Sequence, residues 1–290
     1  MGNRGKHVID SVHSSGRLET GLGSPHPMGA REPPVKITLV PSAVDGRGEE
    51  ALQFLTSYLI NETVGIDCGA LGQYRTPADQ SRIRHVLLSH THIDHIGSLP
   101  VLVENAYEGK RDCMTVHGSP AVLDCLRRDI FNNRVWPDFL SLSTPEAPFL
   151  KLATLEPGRP VELEGLKITP VPVNHVVPTF GFIIEDGKGA VVISSDTGPT
   201  EEIWRRANET PNLKAIFLEA TFPDSMTPLA TVARHLTPVM FADEVRKLSR
   251  PVRVIAVHIK ARFHAEMVKA LGELGLSNLE IGRSGKTYSF

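Results

Sequence analysis

Cysteine is scarce in this chain of 290 residues: there are three, Cys68, Cys113 and Cys125. That scarcity excludes a disulfide-stapled scaffold, and with no compact apolar stretch near the N-terminus it predicts a reducing, cytoplasmic setting. Long hydrophobic runs are also missing. Nowhere do about 18 apolar residues follow one another, so a membrane-spanning helix is excluded. Charge of one sign is absent as well: 31 Lys+Arg against 33 Asp+Glu leave a formal charge of −2, which rules out affinity resting on a uniformly basic surface. What is present is 41% hydrophobic and 22% charged residues, enough to bury a full core, and 12 histidines, whose placement carries the rest of the reading.

Residues 1–34 stand apart, with ten Gly or Pro and no helical or strand period. They read as a flexible N-terminal tail, which sets His7, His13 and His26 aside because a floppy chain cannot hold a metal geometry. From Val35 to Phe290 no Pro/Gly-rich linker intervenes, so residues 35–290 read as one domain. Short β-rich runs alternate with amphipathic stretches there. Strands are expected at 36–40, 57–60, 63–67, 85–89, 114–117, 160–163, 166–173, 179–185, 190–195, 215–219, 252–258 and 287–290. Helices are expected at 97–107, 119–131, 199–208, 237–248 and 263–274. Asp186-Gly187-Lys188-Gly189 between two of the strands is a hairpin signal. Two sheets packed face to face with helices outside accommodate this order better than one parallel sheet.

The sharpest motif is His90-Thr91-His92-Ile93-Asp94-His95, directly after the apolar run Val86-Leu87-Leu88. At the His and Asp frequencies of this chain, such a string arises by chance in roughly one chain in a thousand. His90 and His92 sit two apart, so in extended backbone they project to the same side and can bind one ion. Asp94 and His95 lie beyond the turn and can face a neighbouring ion. Imidazole and carboxylate without thiolate suit Zn²⁺ or another divalent transition ion. Four ligands are too few for two ions, and three more residues share the same grammar of an apolar strand delivering one ligand at its end: His175, Asp196 and His258.

His90-x-His92-x-Asp94-His95 followed in order by His175, Asp196 and His258 resembles the metallo-β-lactamase superfamily of binuclear metallohydrolases. The resemblance covers about residues 36–290 and implies an α/β fold, a four-layer αββα sandwich with the metals at one edge of the two sheets. By matching positions, His90, His92 and His175 would hold the first ion, Asp94, His95 and His258 the second, and Asp196 would bridge them. Asp67, in Gly65-Ile66-Asp67-Cys68-Gly69, matches a supporting residue, and Cys68 reads as a small buried side chain. The implied cofactors are two divalent ions, Zn²⁺ first, with Mn²⁺ or Fe²⁺ as alternatives. A homodimer is expected from the resemblance alone.

Within the superfamily, Asp196 stands where many true β-lactamases place a cysteine ligand. The runs Tyr58-Leu59-Ile60-Asn61-Glu62, His90 to Pro100, Trp136-Pro137-Asp138-Phe139, Asn174 to Phe182, Leu218-Glu219-Ala220-Thr221-Phe222-Pro223 and His235-Leu236-Thr237-Pro238 look like the class II cyclic-nucleotide phosphodiesterases. Ile93 replaces the usual Leu and keeps the apolar character. The competitor, ribonuclease Z, shares the Glu-Ala-Thr-Phe run, but no basic Gly/Pro/Lys-rich insertion or net positive charge marks a tRNA grip. A small phosphodiester substrate rather than a nucleic acid is therefore expected: a 3′,5′-cyclic nucleotide, cAMP or cGMP, hydrolysed to the 5′-nucleotide by a metal-bridging hydroxide. Asp94 would orient that hydroxide. His235 would protonate the leaving ribose oxygen, oriented by Glu219. Trp136, Phe139 and Phe180 are candidates for a wall against the base. His85, His117 and His264 read as structural, and Lys260 and Arg262 lie close enough to His258 to reach a phosphate.

Overall fold

Many strands here are apolar on both faces, and that dictates layers. In Ala190–Ile193, Val191 and Ile193 enter one hydrophobic cluster while Ala190 and Val192 enter another. In Arg253–Val257, Ile255 and Val257 alternate in the same way with Val254 and Ala256. Since side chains alternate across a strand, each strand must be covered on both sides. The first cluster joins residues of two sheets, among them Ile37, Ile60, Leu87, Phe182 and Phe217; the other two lie between each sheet and its helices.

The computed structural model describes residues 35–42 and 52–290; the tail expected over 1–34 lies outside the described residues. The first sheet contains β1 (Lys36–Leu39), β2 (Tyr58–Ile60), β3 (Val64–Ile66), β4 (His85–Leu87), β5 (Thr115–Gly118) and β6 (Lys151–Thr154). The second contains β7 (Val161–Leu163), β8 (Leu166–Val173), β9 (Thr179–Glu185), β10 (Ala190–Ile193), β11 (Leu213–Glu219), β12 (Arg253–Val257) and β13 (Leu279–Ile281). The last strand, β14 (Thr287–Ser289), returns to the first sheet, giving the orders β14-β1-β2-β3-β4-β5-β6 and β13-β12-β11-β10-β9-β8-β7. This is the expected αββα sandwich.

Each sheet is antiparallel on one side and parallel on the other: β3 to β6 in the first, β10 to β13 in the second. Parallel strands deliver their carboxyl ends to a common edge, the place where open α/β sheets bind ligands. The β9–β10 hairpin turns at Gly187, whose φ of 81° needs glycine. Pro170 and Pro172 sit within β8 because β7 pairs only as far as Ile168, so their missing N–H groups face no ladder on that side.

Two strands and several short helices were not anticipated. β6 and β13 are the outermost strands at corresponding edges. The helix expected over 119–131 runs as an α-helix over Pro120–Cys125 and then as a π-turn over Leu126–Ile130. A further helix, Thr227–Ala233, precedes His235.

Candidate metal centre

The loops after β4, β8, β10 and β12, with the short helix Ile93–Ile96 that carries Asp94 and His95, bring seven donors together. His90, His92, His175 and Asp196 form one group, Asp94, His95 and His258 a second, with the ligand atoms of each within 4.8 Å of one another. Asp196 faces both: its Oδ2 lies 3.3 Å from His95 Nε2 and 3.7 Å from His90 Nε2, and its Oδ1 lies 3.4 Å from His258 Nε2. His92 Nδ1 and His175 Nε2 are 3.3 Å apart, and His258 Nε2 is 3.4 Å from Asp94 Oδ2.

Outer partners fix which ring nitrogen points inward. Asp67 accepts from the Ser89 N–H and hydroxyl, at 2.7 and 2.8 Å, and pairs with His95 Nδ1 at 2.7 Å. The Ser89 hydroxyl, having donated to Asp67, accepts from His90 Nδ1 at 2.9 Å. His175 Nδ1 donates to the Arg234 carbonyl at 3.1 Å. The Thr221 hydroxyl donates to Glu219 Oε2 at 2.6 Å and accepts from His258 Nδ1 at 2.9 Å. For His90, His95, His175 and His258, therefore, the second nitrogen is left to the centre, the arrangement that orients metal-ligating imidazoles.

The donor set fits divalent cations on its own chemistry. His90 Nε2, His95 Nε2 and Asp196 Oδ1 are buried with no hydrogen-bond partner, although buried polar groups are almost always paired. Burial drives His90 down to about 2, with His95 pushing the same way, and burial also lowers His92 and His175, so these rings are neutral and offer lone pairs. Burial opposes the charges of Asp94 and Asp196, but the surrounding histidines, and Lys260 beside Asp94, outweigh it and hold both carboxyls well below their usual range. His95 goes the other way: burial disfavours its charge, and Asp196 and Asp67 overcome that. The neutral rings of His90, His92 and His175 and the ionised carboxylates converge on one space as a divalent metal requires, and a metal held by His95 would take the place of that ring's proton.

Backbone strain marks the same turns. Asp67, Ser195, Arg234 and His258 all have positive φ, between 54° and 59°, a region costly for residues with a side chain and concentrated at functional sites. The ligand loop also packs so closely that a Cβ at Gly69 would run into the Asp94 carbonyl and the Thr56 backbone.

His235 lies beside the centre, its ring 4.9 Å from that of His175 and stacked at 5.6 Å on His258. Its Nδ1 meets Glu219 Oε1 at 2.7 Å. Burial opposes the imidazolium, but the Glu219 charge prevails and raises the His235 pKa. Glu219 is itself fully buried and also accepts the N–H groups of Thr197 and Leu236, at 2.8 and 3.1 Å. His235 and His258 also lie within ligand distance of Asp196. Lys260 Nζ reaches Asp94 Oδ2 at 3.1 Å, whereas the Arg262 guanidinium rests over the Phe263 ring.

The three aromatic residues expected as a wall against the base pack in two hydrophobic clusters. Phe139 stacks on Phe149 at 4.4 Å, which stacks on Tyr107 at the end of the helix Leu99–Ala106. That helix leads away from the ligand loop, and Phe139 with Trp136 packs in the cluster under the first sheet's helices. Phe180 is 6% exposed in the core between the sheets. Cys68 is buried and its thiol is pushed up to about 12 by that burial. His85 Nδ1 and His117 Nε2 face each other at 3.1 Å, and neither belongs to the metal-binding groups, nor does His264. The roles of Ser89, Thr221 and Arg234 were missed; a hydroxyl or carbonyl acting through a histidine leaves no spacing signal.

Residues 61–259 match the family model of the beta-lactamase superfamily domain. The chain belongs to the β-lactamase superfamily. Within that superfamily it is 24% identical to a probable 3′,5′-cyclic-nucleotide phosphodiesterase of Yersinia pestis, over 96% of this chain and 93% of that protein. It is 26% identical to 3′,5′-cyclic-nucleotide phosphodiesterase 1 of Saccharomyces cerevisiae, over 60% of this chain and 55% of the yeast protein. Ribonuclease Z of Bradyrhizobium diazoefficiens matches at 31% over 41% of this chain and 39% of that protein. Among solved structures, unliganded yeast PDE1 superposes with a TM-score of 0.73 at 18% identity, covering 89% of this chain and all of that one. The short form of human tRNase Z gives 0.59 at 16% identity, covering 88% and 98%. The superfamily fold implies divalent metal ions, and the donor set described above can receive them. No helix among the described residues is long and apolar enough to cross a membrane.

Proposed function

We propose that the protein hydrolyses 3′,5′-cyclic nucleotides to 5′-nucleotides, with His90, His92 and His175 holding one divalent ion, Asp94, His95 and His258 the other, and Asp196 shared between them. The observation that carries this reading is the Glu219–His235 pair set beside two donor groups that share one carboxylate. Bound divalent ions, with Zn²⁺ favoured by the His/Asp donors, supply Lewis acidity toward the phosphoryl oxygens and an acidic water. The chain's own residues do the rest. Asp94 offers a carboxylate that orients the attacking water along the line opposite the leaving oxygen. When the bond from phosphorus to the ribose 3′ oxygen breaks, His235 Nε2 gives that oxygen its proton, and Glu219 on Nδ1 keeps the ring in the donating orientation. The Lys260 ammonium, 39% exposed beside Asp94, provides a cation for a non-bridging phosphate oxygen.

A small substrate is supported by the rim and by the charge. Ile93 and Val176, each next to a ligand histidine, are 67% and 48% exposed, so an apolar surface borders the centre where a nucleobase can rest. The formal charge of −2 lacks the positive footprint that a polynucleotide backbone calls for. The test is a panel with metal-loaded protein: cyclic AMP, cyclic GMP, bis(p-nitrophenyl) phosphate, a pre-tRNA and a lactone. Cyclic nucleotides are expected to give the highest kcat/KM, and faster cleavage of pre-tRNA would replace this reading with the ribonuclease Z one.

A further inference from the structure

Arg234 caps the helix Thr227–Ala233 in the left-handed conformation, φ 54° and ψ 58°, and the next residue is His235. The cap demands that conformation: the His235 N–H turns back to the Ala230 carbonyl at 2.9 Å. Glycine or asparagine is the usual residue at such a cap, because a larger side chain is strained there. An arginine at this position therefore needs a compensating role, and the structure shows two contacts that supply one. Its guanidinium Nη1 donates to the His175 carbonyl at 2.7 Å, and its own carbonyl accepts from His175 Nδ1 at 3.1 Å. The same residue is held against a third segment: a Cβ on Gly198 would lie 3.3 Å from the Arg234 Cα, and Gly198 N–H is bonded to the Asn174 carbonyl at 2.8 Å. Three loops, carrying His175, Asp196 and His235, thus meet at Arg234.

We infer that Arg234 is a positioning residue that clasps the His175 loop to the His235 cap, setting the metal-ligand ring and the proton-donor ring in register at a cost in backbone strain. The inference rests on the metal and proton-donor roles proposed above. Glycine at this position removes the strain and the guanidinium contact to the His175 carbonyl while keeping the backbone carbonyl that accepts from His175 Nδ1, so strain and side-chain clasp separate in one variant. For Arg234→Gly the metal-free protein should melt at or above the wild-type temperature. Competition with a chromogenic chelator should show affinity for Zn²⁺ reduced by about tenfold, the low end of the range for losing an outer partner of a ligand histidine, because the Arg234 carbonyl stays opposite His175 Nδ1 while the side chain that holds the two loops together is gone, and kcat should fall with it. Arg234→Lys, which keeps a cation able to reach the His175 carbonyl, should recover part of the Zn²⁺ affinity. Wild-type Zn²⁺ affinity in Arg234→Gly overturns the inference. So does a metal-free melting temperature that falls in step with the affinity, since the arginine would then serve the fold. Chelator competition and melting need no substrate, so they decide the matter even where cyclic nucleotides are not turned over.

Discussion

Replacing Glu219 with Gln removes one charge at constant shape. The carboxylate faces four donors at once: the Thr197 and Leu236 N–H groups, the Thr221 hydroxyl and His235 Nδ1. A carboxylate accepts all four; an amide presents one oxygen and turns an NH₂ group toward donors it cannot satisfy. At 0% exposure, with hydrogen bonds to a charged group contributing about 1.5–3 kcal/mol each, a loss of about 2–4 kcal/mol in stability is expected. The chemical consequence is larger. His235 is raised against burial mainly by Glu219, with Asp196 adding to it; with the Glu219 charge gone, the largest opposition to burial is lost and the ring's pKa falls. Its proton is then unavailable to a departing ribose oxygen, a loss of about 10²–10⁴ in kcat. A p-nitrophenolate leaves without a proton, so bis(p-nitrophenyl) phosphate provides the internal control. In Glu219→Gln, kcat for cyclic AMP should collapse while kcat for the aryl diester changes by less than about tenfold. The wild-type decline of cyclic AMP turnover at high pH should also move to lower pH in the variant. Equal loss on both substrates would refute the proton-donor reasoning and leave Glu219 as a support for His258 through Thr221.

His235→Ala should lower cyclic AMP turnover by about 10²–10⁴ with both metal equivalents retained in elemental analysis; loss of metal would make His235 a ligand through its place beside Asp196 and His258. Asp196→Asn removes the carboxylate that both donor groups share, and bound metal should fall below two equivalents; two retained equivalents would show that the ions are not bridged there. Away from the centre, burial pushes His117 down to about 4, so the unfolded chain takes up a proton first as pH falls through about 6.5. Stability is therefore complete above that pH and declines by about 2 kcal/mol between pH 7 and pH 5 on this account; urea titrations of metal-free His117→Gln should lack that share of the slope. Lys260→Ala should raise KM for cyclic AMP by about five- to tenfold with a smaller change in kcat, and an unchanged KM would place the ammonium as a partner of Asp94 alone.

The centre was legible because its ligands come at the ends of apolar runs, where strand periodicity and residue type coincide: Val86 to Leu88 before His90, Val191 to Ser195 before Asp196, Val252 to Val257 before His258. The layered sheets were legible for the same reason, since strands such as β10 and β12 are apolar on both faces. β6 and β13 escaped because they are edge strands whose residues are exposed or half-buried, so no apolar alternation marks them. The helix Thr227–Ala233 has Val232 at 77% exposure and one buried residue, Ala230, and thus no stripe to detect. Aromatic residues beside proline look alike in a pocket wall and in a core, and only packing separates Phe139 and Phe180 from a base-binding surface. Thr221 and Arg234 act through a hydroxyl, a carbonyl and a left-handed cap, which are properties of the folded turn rather than of residue order.

On the proposed reading, two donor groups sharing Asp196, with His235 as acid, open a cyclic phosphodiester at its ribose 3′ oxygen. Phosphorus NMR of 3′,5′-cyclic AMP incubated with the metal-loaded protein tests it most directly. The cyclic signal should convert to that of 5′-AMP alone; an unchanged cyclic signal, or 3′-AMP as the product, would rule that reaction out.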